Sequence, residues 1–193
     1  MNSDYQIILA SNSPRRQELL KSLGVPFTVE TQTSSEEFPA DMPASAVAQY
    51  LAHAKAKAFR KLAKHELLVT ADTTVIAGDE VLNKPANREE AYKMLQHLSG
   101  GTHSVITGVC MLTQSSQDTF QDETKVHVRH LRRQEIDFYI DKYKPYDKAG
   151  GYGIQEWMGL AGITRIEGSY FNVMGLPTHK LWQRLQEYGH WLP

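Results

Sequence analysis

The sequence predicts an α/β fold, a mixed sheet with flanking helices, and three observations carry that expectation. Short apolar runs bounded by polar residues, such as Ile7-Ile8-Leu9-Ala10, read as buried strands. Longer stretches with capping residues at their ends read as helices, and the two kinds of element are interleaved without strict alternation. The chain has 193 residues, 41% of them hydrophobic, which is enough for a sizeable core in one domain over residues 1–193, with one lobe or two.

The run at 7–10 is the first strand, and it feeds a helix that Ser13 caps and Pro14 opens. Proline is suited to that first position because the N–H it lacks has no intrahelical partner there. Leu19, Leu20 and Leu23 give the helix a buried face, and Gly24 ends it. FTVE (27–30) is a second strand, and TQTSSEEFPADMP (31–43), polar and broken by prolines, is loop. An alanine-rich helix is expected from Ala44 to about Lys64, with Val47, Leu51, Ala54, Ala58 and Leu62 as its apolar face. LLVTADTTVIAGDEVLNKP (67–85) folds into two strands about Gly78-Asp79.

A helix follows over 87–100, capped by Asn87 and ended by Gly100. HSVITGVCMLT (103–113) and DETKVHVRHL (122–131) pair as strands across the polar turn QSSQD. Residues 132–143 are helical, 144–162 form a glycine-rich loop, 163–175 a hairpin, and 177–189 a closing helix. In that last helix Leu181, Trp182, Leu185 and Tyr188 read as core or dimer surface.

Composition excludes several classes of function. A formal net charge of −1 gives no global basic field for nucleic acid. In KVHVRHLRR (125–133), Lys125, His127 and Arg129 share one strand face and Val126 and Val128 the other, so a solvated strand face accounts for the charges. The single cysteine, Cys110 in VITGVCMLT, excludes an intramolecular disulfide and reads as a buried thiol in a reducing compartment. No basic segment followed by an apolar run marks a signal peptide, and no apolar run approaches the roughly 18 residues of a membrane helix. A cytoplasmic protein with no membrane partner is expected. The eight histidines form no zinc-like spacing.

The stretch LASNSPRRQELL (9–20) is where chemistry is most concentrated. A strand entering a helix through a tight polar turn gathers free backbone N–H groups and the positive end of the helix dipole, which favours anions and phosphate above all. Ser11 and Ser13 add hydroxyl donors, and Arg15 and Arg16 add forked cations. Successive helical residues point about 100° apart, so the two arginines do not serve one phosphate alike and one is available to a carboxylate. No Walker motif is present, because the glycines and the Gly-Lys-Ser/Thr ending are missing. A capped helix with two solvated arginines accounts for the stretch equally well.

Lys55 follows Leu51 by four and borders the apolar face of its helix, whereas Lys57, Lys61 and Lys64 share another face. A lysine so placed either snorkels or reaches a ligand. Asp72 sits within a strand-like run where aspartate is disfavoured, so it needs partners or a cation unless it caps a bend. Lys84 and the Glu36-Glu37 pair are unremarkable taken singly.

Jointly, LASNSPRRQELL, LAHAKAKA, TADTTVI, EVLNKP, LSGGTHSVITGV, YDKAGGYGIQ and GSYFNVMGLP resemble the Maf family of nucleoside triphosphate pyrophosphatases, in the family's order and over nearly the whole chain. The chain is most similar to the dTTP/UTP-preferring branch. It lacks the tryptophan before the arginine pair and the serine-rich segment that mark the methylated-GTP branch. The resemblance implies two lobes about a twisted sheet with a central cleft, the architecture shared with inosine-triphosphate pyrophosphatases. It implies Asp72 as catalytic base, substrate specificity at Arg15, Thr73 and Gln155, and site-lining roles for Ser11, Ser13, Arg16, Glu36, Lys55 and Lys84.

The resemblance implies hydrolysis of dTTP and UTP to the monophosphate and pyrophosphate, with modified pyrimidine nucleotides as further candidates, and the residues suit cleavage of a phosphoanhydride. Ser11, Ser13, Arg16, Lys55 and Lys84 would hold phosphates. A divalent cation, Mg2+ or Mn2+, would lean on Glu36 and Asp72 as hard oxygen ligands. A homodimer is implied by the resemblance alone. The alternative is a nucleotide-binding regulator of cell division without essential catalysis, against which the retention of Asp72, both lysines and Gln155 argues. Thr70 in place of the family's usual glycine, Gly151 in place of a common alanine, and the nearby Trp157 are departures from the pattern.

Overall fold

The structure, a computed structural model, describes residues 2–3, 5–33 and 35–190. Ser34 of the expected loop, and residues 1, 4 and 191–193 of the expected domain, lie outside the described residues. The chain divides into two compact units. One holds residues up to Asp72, Thr107–Asp122 and the chain from Gly175; the other holds Thr73–Ile106 and Glu123–Met174.

In the first unit, β2 (Gln6–Leu9) is the expected buried strand. It runs parallel to both β3 (Phe27–Val29) and β4 (Glu66–Ala77), with Ile8 opposite Thr28 and Leu68. Parallel neighbours need crossover connections, and α1 (Pro14–Ser22) and α2 (Ala44–Ala58) supply them. Ser13 caps α1 as its sequence foretells, and Gly24 takes the left-handed conformation beyond its end at φ 74°.

Helix α2 corrects the sequence reading. It stops at Ala58 rather than Lys64, and its buried residues are Val47, Ala48, Leu51, Ala52 and Ala56, while Ala58 is exposed. Alanine propensity favours continuation, but tertiary contacts override it. Leu62, released from the helix, packs with Ile8, Ala52, Ala56, Leu68 and Cys110. Its carbonyl accepts from Gln114 Nε2 at 2.6 Å, and Arg60 bridges Glu30 and Glu66. Lys61 and Lys64 therefore share no helical face with Lys57. Cys110 is the buried thiol expected.

The long strands β6 (Thr102–Leu112) and β7 (Gln117–Val128) are neighbours in the main sheet. β7 begins five residues before the expected Asp122, because Thr113 closes the turn by itself: its N–H donates to Ser116 O, and its Oγ1 accepts from the N–H groups of Ser115 and Ser116. Gly108 on β6 permits close approach of α2; a Cβ there would lie 2.4 Å from Ala48 O. Helix α7 (Thr178–Leu185) buries Leu181 and Leu185 and pairs Lys180 with Asp122 and Arg184 with Asp118. A two-residue antiparallel pairing of Asn2–Ser3 (β1) with Gly189–His190 (β9) is too short for any pattern to announce.

In the second unit, the end of β4 and β5 (Glu80–Leu82) make the expected hairpin, with Ala77 opposite Glu80 and Gly78 at φ 62°. Asn87 caps α3 (Arg88–Leu98), its Oδ1 accepting from Glu90 N–H at 3.0 Å, and α4 (Arg133–Tyr143) follows β7. The glycine-rich stretch 144–162 is not all loop: it holds a 3-10 turn at Ala149–Gly151 and α5 (Trp157–Ala161). Nor is 163–175 a hairpin. β8 (Ile163–Glu167) pairs antiparallel with β7, and the chain then enters α6 (Tyr170–Met174). The reason is Asn172, fully buried, whose Nδ2 donates to Val105 O and Thr124 Oγ1, both at 3.0 Å. A second strand leaves that amide no such partners.

Among the described residues the main sheet has seven strands, ordered β3-β2-β4-β6-β7-β8 with β5 on β4. Parallel and antiparallel pairs coexist, so the fold is the mixed α/β class expected. The second unit's core gathers Leu95, Leu98, Val126, Ile136, Tyr139, Ile140 and Ile154. Among the described residues no helix is long and apolar enough to cross a membrane.

His103 is buried beside Tyr152, with its Nε2 2.7 Å from the Tyr152 hydroxyl and the rings edge to face. Burial lowers its pKa from 6.5 to about 4, so the native state holds the neutral ring. Between those two values the unfolded chain binds the extra proton, so stability is full above pH 6.5 and falls as the pH drops toward 4. Denaturant unfolding at stepped pH is expected to show about 3 kcal/mol lost across that window, and His103→Gln is expected to flatten the loss.

Candidate active site

The turn between β2 and α1 is tied by its own side chains. Ser11 is buried; its Oγ accepts from Ser13 N–H at 3.2 Å and its carbonyl from Gln17 Nε2 at 3.0 Å. Ser13 Oγ accepts from Arg16 N–H at 3.5 Å. A hydroxyl that accepts in this way still has a proton to donate, so both serines suit an anion.

The two arginines part ways. Arg16 donates from Nε to Gly175 O at 2.8 Å and from an Nη to Ala71 O at 2.9 Å. It thereby ties α1 to the residue before Asp72 and to the segment entering α7. Burial lowers its pKa from the ordinary guanidinium value, Asp72 opposes the shift, Arg15 adds to it, and Glu36 opposes it again. Neither donor is spent on a carboxylate. Arg15, one residue before, is half-buried.

Asp72 lies in β4 itself, not in a bend, and it is buried. Its Oδ1 is 2.6 Å from Lys55 Nζ, a short charge-assisted hydrogen bond. Glu36 Oε1 approaches the same ammonium at 3.5 Å from the loop before α2. Lys55 therefore does not snorkel to water but meets two carboxylates of the chain itself, which share it. Strand and helix are held in this relation by Thr70, whose buried hydroxyl donates to Ala52 O at 2.6 Å. That residue, a departure from the family pattern, is satisfied and joins β4 to α2 close to both charged partners. Among the described residues there is no group of three or more His, Cys, Asp or Glu side chains arranged for a metal.

The remaining expected residues belong to the second unit. Thr73 follows Asp72 on β4 and is half-buried, Lys84 is exposed just after β5, and Gln155 is exposed just before α5. The glycine turn that precedes Gln155 docks beside Lys84, as Gly150 N–H donates to Asn83 O at 3.2 Å. Gly150 adopts φ 68° and sits against Val75, where a Cβ would come within 2.9 Å. Three further residues of this region, Tyr139, Lys148 and Glu156, bond to one another or to the backbone around Gln155. Sequence reading passes over them because eight residues separate Lys148 from Glu156 in a segment without helical period.

The Lys55–Asp72 contact is expected to couple the two residues in a double-mutant cycle. Lys55→Met and Asp72→Asn each lower unfolding free energy, and the double variant loses about 1–3 kcal/mol less than their sum in denaturant titrations.

The family model described as "Maf: Maf-like protein" matches residues 6–188. A protein named dTTP/UTP pyrophosphatase from Parabacteroides distasonis is 50% identical over 186 residues, covering 95% of this chain and 96% of that one. The protein of the same name from Flavobacterium johnsoniae is 46% identical over 182 residues, covering 94% of each. Among solved structures, a HAM1 protein from Coxiella burnetii aligns with a TM-score of 0.50 over 95% of this chain and 99% of its own, at 16% identity, which speaks for the fold alone. The chain belongs to the Maf-like protein family.

Proposed function

We propose that this chain hydrolyses dTTP and UTP at the α–β phosphoanhydride, releasing the monophosphate and pyrophosphate. The observation that carries the reading is the buried Asp72 carboxylate, oriented by Lys55 in the unit that also holds the serine-arginine turn. The names of the relatives, dTTP/UTP pyrophosphatases at 46–50% identity over nearly their full length, support the substrate class.

In this mechanism Ser11, Ser13 and the N-terminal amides of α1 bind phosphate oxygens, with Arg16 bracing the turn and adding its charge. Asp72 accepts a proton from water as the water oxygen bonds to the α-phosphorus. The bond from that phosphorus to the bridging oxygen breaks, and the electron pair leaves with pyrophosphate. Lys55 and Lys84 offset the negative charge that develops on the leaving group. Arg15, Thr73 and Gln155 select the base; the amide of Gln155 offers a donor and an acceptor to the imide edge of uracil or thymine.

The donor set fits a divalent cation that arrives with its nucleotide. Glu36 and Asp72 are hard oxygen ligands that converge on one ammonium, and one or two carboxylates are the usual protein share for Mg2+, phosphates and water completing the shell. Bound there, Mg2+ or Mn2+ supplies charge neutralisation at the phosphate oxygens.

The chain is read as one catalytic domain over residues 1–193, cytoplasmic and homodimeric, acting on free nucleotides. Of the expected strand face, Lys125 and His127 lie on β7 while Arg129 falls just past its end; the contacts of His127 with Glu167 at 2.7 Å and of Arg129 with Glu135 at 2.7 Å support a reading without a nucleic-acid partner. No feature of the described site favours a regulator without catalysis.

Pyrophosphate release from a panel of nucleoside triphosphates with Mg2+ or Mn2+ tests the reading. UTP and dTTP are expected to turn over and GTP derivatives weakly. Asp72→Asn is expected to lower kcat about a thousandfold, and absence of turnover of any triphosphate by folded wild-type protein contradicts the proposal.

A further inference from the structure

The segment that carries Gln155 lies between the turn at Ala149–Gly151 and α5, with no strand or helix of its own. Three side chains hold it instead. The Tyr139 hydroxyl, projecting from α4, accepts from Gly153 N–H at 2.9 Å and donates to Glu156 Oε2. Glu156 Oε1 lies 3.2 Å from Lys148 Nζ, which also bonds Asp147 Oδ1 at 2.7 Å. Tyr139 is 1% exposed, and the Lys148 and Glu156 side chains are 9% and 17% exposed.

This network brackets Gln155 on both sides, at Gly153 two residues before it and at Glu156 directly after. The glycine is part of the device: a Cβ on Gly153 would come within 2.9 Å of Glu156 Cδ and would push the carboxylate from its present place. Behind it, Gly159 packs so tightly that a Cβ would overlap Ile154 O at 1.6 Å. Burial, reinforced by the bond to Glu156, raises the pKa of the Tyr139 hydroxyl above the ordinary phenol value, so it remains a donor at neutral pH. Gln155 itself is exposed. An exposed side chain on a doubly tethered backbone is what a reading group requires: fixed at its root and open at its tip.

We infer that Tyr139, Glu156 and Lys148 are positioning residues for nucleobase selection, holding the backbone at Gln155 so that its side chain approaches the base from one fixed position. The inference rests on the proposed role of Gln155. Uracil and thymine present an N3–H donor beside the O4 acceptor, whereas cytosine presents an N3 acceptor beside an N4 donor. A tethered amide matches the first pattern. Loosening the backbone leaves that amide without a fixed position against the base edge, so its match to the first pattern weakens.

Two variants and two readouts test this. Tyr139→Phe removes the hydroxyl that joins Gly153 to Glu156, and Glu156→Gln keeps an acceptor for Tyr139 while removing the charge that Lys148 pairs with. KM and kcat are measured for UTP, dTTP and CTP, and amide hydrogen exchange is followed over a peptide spanning 152–157, with thermal melts to establish folding. Tyr139→Phe is expected to raise KM for UTP about tenfold, the effect of about 1.4 kcal/mol. The UTP-over-CTP preference narrows by a similar factor, kcat stays unchanged and exchange of the peptide quickens. Glu156→Gln shifts the same quantities less, and it decides the matter alone if Tyr139→Phe does not fold. An unchanged UTP-to-CTP ratio with unchanged exchange overturns the inference. If wild-type protein releases no pyrophosphate, the proposed function fails, while exchange, which needs no substrate, still decides whether the network holds the segment.

Discussion

A carboxylate inside a strand is tolerated only where something compensates its charge. In this chain the compensation comes from Lys55 on α2, 2.6 Å from Asp72. Because the two residues sit on different elements, their contact exists only if strand and helix hold a fixed separation. Two small features set it. Gly108 leaves room for β6 to meet the α2 backbone at Ala48, and the Thr70 hydroxyl hydrogen-bonds Ala52 O between the same two elements that carry the charged pair. A larger residue at 108 or an unsatisfied polar group at 70 disturbs the site without touching it.

The turn between β2 and α1 supports the strand that carries this contact. Arg16 spends two donors on main-chain carbonyls, one of them belonging to Ala71, and thus buttresses the strand that presents Asp72. A guanidinium suits this duty because it stays charged when buried and reaches two acceptors in fixed directions. That Arg16 braces two main-chain segments is visible only in the fold, because Ala71 and Gly175 lie far from it in sequence.

Much of the architecture was legible from local chemistry. Ser13 and Asn87 cap helices, and Gly78 turns the hairpin, because each of these roles is decided within a few residues. The end of α2 was not legible: alanine-rich sequence favours helix through Lys64, and only the distant partners of Leu62 and Arg60 stop it at Ala58. Residues 170–174 read as strand for the same reason, since Asn172 finds its acceptors on Val105 and Thr124, far away in sequence. In the site, the oddity of Asp72 and the edge position of Lys55 are both readable, but nothing in the sequence pairs the two, and only the geometry joins them. Tyr139, Lys148 and Glu156 carried no local signal, because their meaning lies in where the chain folds back.

The central claim is that water adds to the α-phosphorus of a pyrimidine nucleoside triphosphate. Hydrolysis of UTP in 18O-labelled water, followed by mass spectrometry of both products, tests it most directly. The account predicts label in the uridine monophosphate and none in the pyrophosphate. Label in the pyrophosphate, or release of inorganic phosphate with a diphosphate, places the attack elsewhere and contradicts it.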